Sequence, residues 1–351
     1  MEPFRMCFDN TLGSYLPGEM ISGAFVVDLK ERIEFRELVV TFSGNGYCHW
    51  SRGTREDQTT YRNKEKYFKE DRVLIEASPQ RNNSLGPGVS SFRFRFQLPE
   101  NIPPSFTFNE YGDIAKVTYS VNIAFKEVKG SAKSADINKK CEFGVKSFQF
   151  DSNFIPNLPE AADAKMEKYV CCLCCQAGPV ILCLRFNKDV YNAGMTIVFD
   201  VELNNKATTR TLGKVEVKLV KLVVLLDGKG NKAKHRYPTS SIVLAQTIFP
   251  GGEEYWHNVL LHTPSHLEPT IENSLCVNLT YSLVVKVKIP SGITAKVKLP
   301  VRVLPWIPTT LPPYASPHQQ SSSYPVVTQP ISYEPPPPYS PNNISSAETP
   351  V

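Results

Sequence analysis

The residues with the clearest chemistry stand near the C-terminus: Pro336-Pro337-Pro338-Tyr339, a complete PPxY sequence. Consecutive prolines hold the backbone in polyproline II, which is extended and already low in entropy. They can therefore lie across an aromatic groove at small ordering cost, and the tyrosine enters a second pocket on the same face. That is the ligand chemistry read by WW domains. Leu311-Pro312-Pro313-Tyr314 is a looser version in which leucine replaces the first proline. The two tyrosines are 25 positions apart, which for a flexible linker is an r.m.s. span of roughly 25–30 Å. Two tandem WW domains could be bridged over that span, with avidity gained through effective concentration. The predicted WW-binding residues are Leu311, Pro312, Tyr314, Pro336, Pro337 and Tyr339.

A second cluster is Cys171-Cys172-Leu173-Cys174-Cys175. Adjacent thiols on an extended strand point to opposite faces, so half would be core and half exposed. Structural thiols, S-acylation of Cys171, Cys172, Cys174 and Cys175 at a membrane, and zinc or redox use all remain open. Nine cysteines is an odd number, and their crowding suits free thiols in a reducing cytosol better than a secreted disulfide framework.

Other constellations carry less. Gly228-Lys229-Gly230-Asn231-Lys232-Ala233 mimics a dinucleotide loop, yet it runs into Lys234-His235-Arg236-Tyr237-Pro238 rather than a helix, so a hairpin turn is the favoured reading. His257, His262 and His266 with Cys276 could form a zinc set, but their spacing crosses Thr263-Pro264-Ser265, and surface histidines are the simpler reading. No Gly-x-Ser-x-Gly occurs. The expectation is a non-enzyme with no cofactor and no metal.

Composition places these residues in a soluble globular setting, with 41% hydrophobic and 21% charged residues in 351. That length suits two domains and a tail. The N-terminus is polar from the start, with no signal-peptide core. Val170 to Leu184, the longest apolar stretch, is too short to span a membrane. An intracellular chain is expected, in which the sequons at Asn82, Asn278 and Asn343 mean nothing. Net charge is +5 overall; the two acids beyond Arg302, Glu334 and Glu348, contribute −2 and leave +7 on the rest. A mildly basic body favours phosphates or an anionic membrane surface, although interspersed acids make a solvated mixed surface the blander reading. Nothing in the pattern argues for nucleic acid.

The elements that must carry these residues are strands. Phe92–Phe96, Val117–Ile123, Val215–Leu219 and Val285–Ile289 alternate with period two, which puts one face in a core and the other in water. Gly44-Asn45-Gly46, Asn82-Asn83-Ser84, Asp227–Asn231 and Pro250-Gly251-Gly252 are predicted turn clusters between them. Leu158 to Lys168 could hold about two helical turns and is read as a connector between domains. Tyr15-x-x-Gly18 and Tyr191-x-x-Gly194 each precede a strand-like run, a weak repeat that suggests two similar sandwiches in tandem. From Pro305 onward lie almost half of the 29 prolines, without alternation, so this tail is expected to stay disordered.

Several ordered segments resemble a known family. Tyr15-x-Pro17-Gly18-Glu19-x-Ile21-x-Gly23, Leu38-x-Val40-x-Phe42-x-Gly44 and Trp50 resemble the start of an arrestin N-domain. Phe94-x-Phe96-x-Leu98-Pro99, Ile102–Phe106 and Val117-x-Tyr119-x-Val121 resemble its later strands. Cys171-Cys172-x-x-Cys175-x-x-Gly178-Pro179-Val180, followed by Tyr191-x-x-Gly194, resembles the opening of the C-domain in the α-arrestins, the arrestin domain-containing proteins. Tyr281–Leu283 through Leu299–Val301 resembles its last strands. Asn192-Ala193-Gly194-Met195 departs from the family's Pro-Gly-Glu, and nothing resembles the charged polar core of the visual and β-arrestins.

The resemblance implies an all-β chain with an arrestin-like N-terminal sandwich at 4–158, a C-terminal sandwich at 166–304 and a proline-rich tail at 305–351. It also implies a non-enzymatic adaptor between membrane-protein cargo, such as receptors or transporters, and WW-domain HECT-type ubiquitin ligases. Such an adaptor would act in ubiquitination, endocytosis and protein transport, from the cytoplasm to the plasma membrane and endosomes. The alternative is a ligase-independent, retromer-like scaffold or signalling regulator of the same fold.

Overall fold

Period-two alternation becomes strand almost wherever it occurs. The computed structural model describes residues 4–54, 56–127, 137–147, 162–172, 175–186, 188–207, 210–289 and 293–304. No helix occurs among them. The first half contributes β1 (Phe4–Phe8), β2 (Ser14–Tyr15), β3 (Met20–Leu29), β4 (Ile33–Phe35), β5 (Glu37–Arg52), β6 (Thr59–Ile75), β7 (Asn83–Leu85), β8 (Gly88–Gln97), β9 (Phe106–Glu110), β10 (Asp113–Lys126) and β11 (Ile137–Val145). The second contributes β12 (Ala162–Cys172), β13 (Cys175–Phe186), β14 (Val190–Asn192), β15 (Thr196–Asn205), β16 (Val215–Leu226), β17 (Lys232–Ala245), β18 (Glu253–His262), β19 (Val277–Ile289) and β20 (Ile293–Leu304).

Each half is a two-sheet sandwich. In the first, β1-β3-β8 faces β2-β11-β10-β5-β6, with β9 beside β10 and a small β4-β7 pair. In the second, β12-β13-β15-β18 faces β14-β20-β19-β16-β17. The orders correspond except that β12 is added at one edge of the second domain and β4, β7 and β9 occur only in the first, with β1, β3 and β8 answering to β13, β15 and β18. Each half also has one parallel pair, β2 with β11 and β14 with β20. The two Tyr-x-x-Gly segments are the same turn. Glu19 N–H donates to Leu16 O and Met195 N–H to Asn192 O, both at 3.1 Å. Gly18 (φ 78°) and Gly194 (φ 83°) hold the third position, where a type II turn needs positive φ. This explains how the second domain dispenses with Pro-Gly-Glu: only the glycine is indispensable. Tyr15 and Tyr191 pack inward at 2% and 5% exposure, and burial pushes both phenols up to about 12.

The cores lie between the sheets. Phe25 on β3 meets Phe125 on β10 at 6.1 Å, and Phe42 on β5 stacks on Phe96 of β8 at 4.6 Å. Each such ring taken from water is worth roughly 1.5–3 kcal/mol. Two buried tyrosines tie core to loop in equivalent places: Tyr119 OH donates to Pro103 O at 2.6 Å, and Tyr281 OH to Glu268 O at 2.8 Å.

Three sequence expectations need correction. Ala162–Lys168, part of the segment read as a connector able to hold two helical turns, is strand in β12, because Ala162, Ala164 and Met166 alternate inward with Asp163, Lys165 and Glu167 outward; residues 158–161 lie outside the described residues. Gly44-Asn45-Gly46 is the middle of β5 rather than a turn. A Cβ at Gly44 would lie 2.6 Å from the Tyr119 ring and 2.7 Å from Phe68, so the glycine there makes room for close packing. Asn83–Ser84 likewise falls in β7, whereas Pro250-Gly251 is a turn.

Candidate functional site

The predicted WW-ligand residues Leu311, Pro312, Tyr314, Pro336, Pro337 and Tyr339 lie outside the described residues, which end at Leu304. Leu304 closes β20, and its carbonyl accepts a hydrogen bond from Ala193 N–H at 2.9 Å. The cysteine cluster sits where β12 turns into β13: Cys171 is opposite Gln176 and Cys172 opposite Cys175 in the backbone register. Cys174 lies outside the described residues, as do the side chains of the other three. Just beyond, Gly178 has φ 84°, and a Cβ there would lie 2.3 Å from Lys206 O. Its place in the Gly178-Pro179 pair is therefore set by backbone crowding.

Gly228–Asn231 is a hairpin turn joining β16 to β17, and Lys232 and Ala233 already belong to β17. Asp227 Oδ1 accepts from Lys229 N–H (2.8 Å) and Asn231 N–H (2.9 Å), and its Oδ2 from Asn231 Nδ2 (2.6 Å). That net of donors outweighs desolvation and holds the carboxyl below the usual range, the Asn231 side chain contributing most. The histidines do not converge. His257 stacks on Tyr255 at the surface, His262 Nδ1 hydrogen-bonds Thr196 Oγ1 at 2.7 Å, and Cys276 is buried beside Cys48 of the first sandwich.

Sequence reasoning missed the place where the two sandwiches meet. The β9–β10 hairpin turns through Tyr111 (φ 51°) and Gly112 (φ 84°), two positive φ values in succession, as a two-residue type I′ turn requires. It presents Glu110 and Asp113 side by side to β17. Arg52, from the end of β5, grips Asp113 with Nη1 to Oδ1 at 3.0 Å and Nη2 to Oδ2 at 2.7 Å. From the other domain His235 Nε2 reaches Asp113 Oδ2 at 2.9 Å. An ionised carboxylate only accepts, so Nε2 carries the proton. Tyr237 OH donates to Glu110, and the Phe108 ring packs 4.9 Å from His235. Asp113 is 3% exposed. Burial works to raise its carboxyl, but Arg52 and then His235 outweigh it and hold it below the usual range.

A second contact joins the middle of β5 and β6 to the segment before β19. Glu65 Oε2 accepts from Leu275 N–H (2.7 Å) and Ser274 OH (3.1 Å), while Asn63 Nδ2 donates to Leu275 O (2.9 Å). Tyr67 OH lies 2.9 Å from Ser274 Oγ, and Cys48 Sγ–H donates to Leu226 O at 3.1 Å. The Cys276 thiol is pushed up, first by its hydrogen bond with Cys48 and then by burial. A Cβ at Gly46 would lie 2.5 Å from Tyr67 OH, so this glycine too is set by the seam. Neither contact assembles a nucleophile, base and oxyanion donor. Both are clamps that fix one sandwich against the other. The only sequence signal for either was the Tyr111-Gly112 turn; nothing local pairs Asp113 with His235.

Comparison with known proteins agrees with this architecture. Residues 4–149 match the family model "Arrestin (or S-antigen), N-terminal domain" and residues 176–306 match "Arrestin (or S-antigen), C-terminal domain". The chain is 23% identical over 305 residues to Arrestin domain-containing protein 17 of Caenorhabditis elegans, covering 82% of this chain and 68% of the relative. It is 26% identical over 301 residues to Arrestin domain-containing protein 4 of Mus musculus, covering 84% and 69%. Against Arrestin domain-containing protein 5 of Bos taurus it is 25% identical over 303 residues, covering 82% and 86%.

Proposed function

The chain belongs to the α-arrestin family, and from that premise we propose that it is a non-enzymatic adaptor coupling membrane-protein cargo to WW-domain HECT-type ubiquitin ligases. An arrestin-fold adaptor or trafficking role follows from the family. The ligase arm of the reading is carried by one observation, the Pro336-Pro337-Pro338-Tyr339 sequence beyond the second sandwich. Two clamped sandwiches offer broad sheet faces for cargo, and the tail supplies the ligand for the ligase. Such a protein works in the cytoplasm and is recruited to the plasma membrane and endosomes, promoting ubiquitination and endocytosis. S-acylation of the cysteines at the β12–β13 turn would strengthen that recruitment.

Titrating a peptide of residues 305–351 against a pair of tandem WW domains tests the ligase arm. Tyr339→Ala removes an aromatic anchor of the kind worth about 2 kcal/mol or more, roughly a thirtyfold loss of affinity. Tyr314→Ala should cost less, since Leu311 fills the proline groove less well. Equal binding by wild type and Tyr339→Ala would leave the ligase-independent scaffold or signalling regulator instead. For the membrane arm, binding to anionic vesicles through charge should vanish at high salt; salt-resistant binding that disappears on Cys→Ser substitution at 171, 172, 174 and 175 would identify acylation.

A further inference from the structure

Tyr111 stands at the tip of the β9–β10 hairpin with almost no packing to explain it. It is 98% exposed, the most open of the large hydrophobic and aromatic side chains among the described residues. Its backbone is unfavourable too. Asn-Gly or Asp-Gly suits a type I′ turn because asparagine and aspartate tolerate positive φ, whereas a bulky aromatic residue there is an outlier. Tyr111, Glu127 and Asn258 are the non-glycine residues with positive φ among the described residues, and Tyr111 is the aromatic one. A strained residue that packs against so little points to a use for the group it displays.

The neighbours of Tyr111 narrow that use. Glu110-Tyr111-Gly112-Asp113-Ile114 puts one acid directly before the tyrosine, a second acid two positions after it and an aliphatic residue at the third. An acid-flanked tyrosine is complementary to a protein tyrosine kinase whose substrate cleft is cationic. β9 pairs only with β10 among the described strands, so its other edge is open to an incoming chain. The other exposed tyrosine near acids is placed differently: Tyr255 lies within β18, its hydroxyl against Glu253 at 3.4 Å and its ring stacked on His257.

We propose that Tyr111 is a phosphorylation site for a protein tyrosine kinase and that the phosphate releases the clamp between the two sandwiches. In the transfer Tyr111 Oη forms a bond to the γ-phosphorus of ATP while the bond from that phosphorus to the β-phosphate oxygen breaks. ADP departs, and the phenolic proton passes to the kinase's base. The product carries a charge of about −1.5 to −2 beside two carboxylates, Glu110 and Asp113. Glu110 accepts a hydrogen bond from Tyr237, and Asp113 holds Arg52 and His235. The Tyr237 phenol is pushed up by burial first, then by Glu110, and also by Tyr111, so charge at the hairpin tip reaches β17. The Arg52 side chain is half exposed, and its guanidinium suits phosphate as well as carboxylate. Arg52 can therefore turn from Asp113 to the new phosphate. Repulsion of the two carboxylates and loss of Arg52 both weaken the hold of the hairpin on β17. The modification needs neither the tail nor a cargo, so it stands apart from the adaptor reading.

The test treats the full chain with magnesium ATP and a purified tyrosine-kinase domain that prefers acids beside its tyrosine, and maps the sites by mass spectrometry. A peptide of residues 106–117 serves as the substrate control. Wild type should carry phosphate at Tyr111 and melt about 2–4 °C lower than before treatment. Tyr111→Phe, taken through the same reaction, should keep its melting temperature, which separates this site from tyrosines modified elsewhere. Asp113→Asn starts with a weakened clamp, so its phosphorylation should lower the melting temperature by less than in wild type. Absence of phosphate at Tyr111 in the full chain overturns the proposal, whether or not the peptide is a substrate. Phosphorylated wild type that melts where it did before treatment overturns it too, as does an equal downward shift in Asp113→Asn.

Discussion

The two sandwiches share a strand order but not a core. The first packs rings: Phe25, Phe35, Phe42, Phe94, Phe96, Phe106, Phe108, Phe125, Phe143 and Trp50 are buried. The second buries Phe186 and Phe199 among valines, leucines and isoleucines such as Val217, Leu219, Leu279 and Val285. The shared geometry therefore does not depend on a particular set of side chains. What both halves keep are the positions where backbone conformation or a polar tether leaves little choice: Gly18 and Gly194 at the turns, Tyr119 and Tyr281 as tethers.

That contrast can be broken most forcefully in the aromatic core. Phe42→Ala should cost about 3–5 kcal/mol, since its ring lies between Phe94 and Phe96 at 6.0 and 4.6 Å. Urea unfolding would then show whether the second sandwich survives the first. A single shared transition would mean that the seam couples the two domains into one cooperative unit. Asp113→Asn at that seam should cost about 1–3 kcal/mol, discounted because its partner Arg52 is half exposed. It should also pull a shared transition apart.

The pH dependence at Asp113 has a definite sign. Its carboxyl titrates lower in the fold than when unfolded, so its stabilisation is complete above the unfolded value of about 3.9 and is lost as pH falls through the folded one. Acid unfolding of Asp113→Asn should accordingly be less steep below about pH 4 than that of wild type. Smaller still, Tyr119→Phe and Tyr281→Phe should each cost about 1 kcal/mol for the lost hydrogen bond. Thermal melts giving clearly unequal costs would show that the two tethers are not equivalent after all.

Much of the fold was legible because strands announce themselves locally. Phe92–Phe96 and Val117–Ile123 are strands for the reason their alternation gives, and Asp227–Asn231 is a turn because its aspartate and glycines favour nothing else. The failures were equally physical. Ala162–Lys168 has helical residues in a strand, since pairing with β13 outweighs intrinsic propensity. Gly44 and Gly46 have turn residues in a strand, since what they accommodate comes from β10, β6 and the other domain. The proposed WW-ligand residues lie outside the described residues and rest on the sequence alone.

By itself, then, the chain's sequence determined the tandem β architecture and the repeated Tyr-x-x-Gly turns, which depend on residues within a few positions of one another. Only the tertiary structure decided that Arg52, Asp113 and His235 form one ionic contact, that Glu65 clasps the backbone at Leu275, and that Lys286 faces Lys296 across the ladder. Those pairings span many residues or depend on strand register, and register is fixed by the whole sheet rather than by any local pattern.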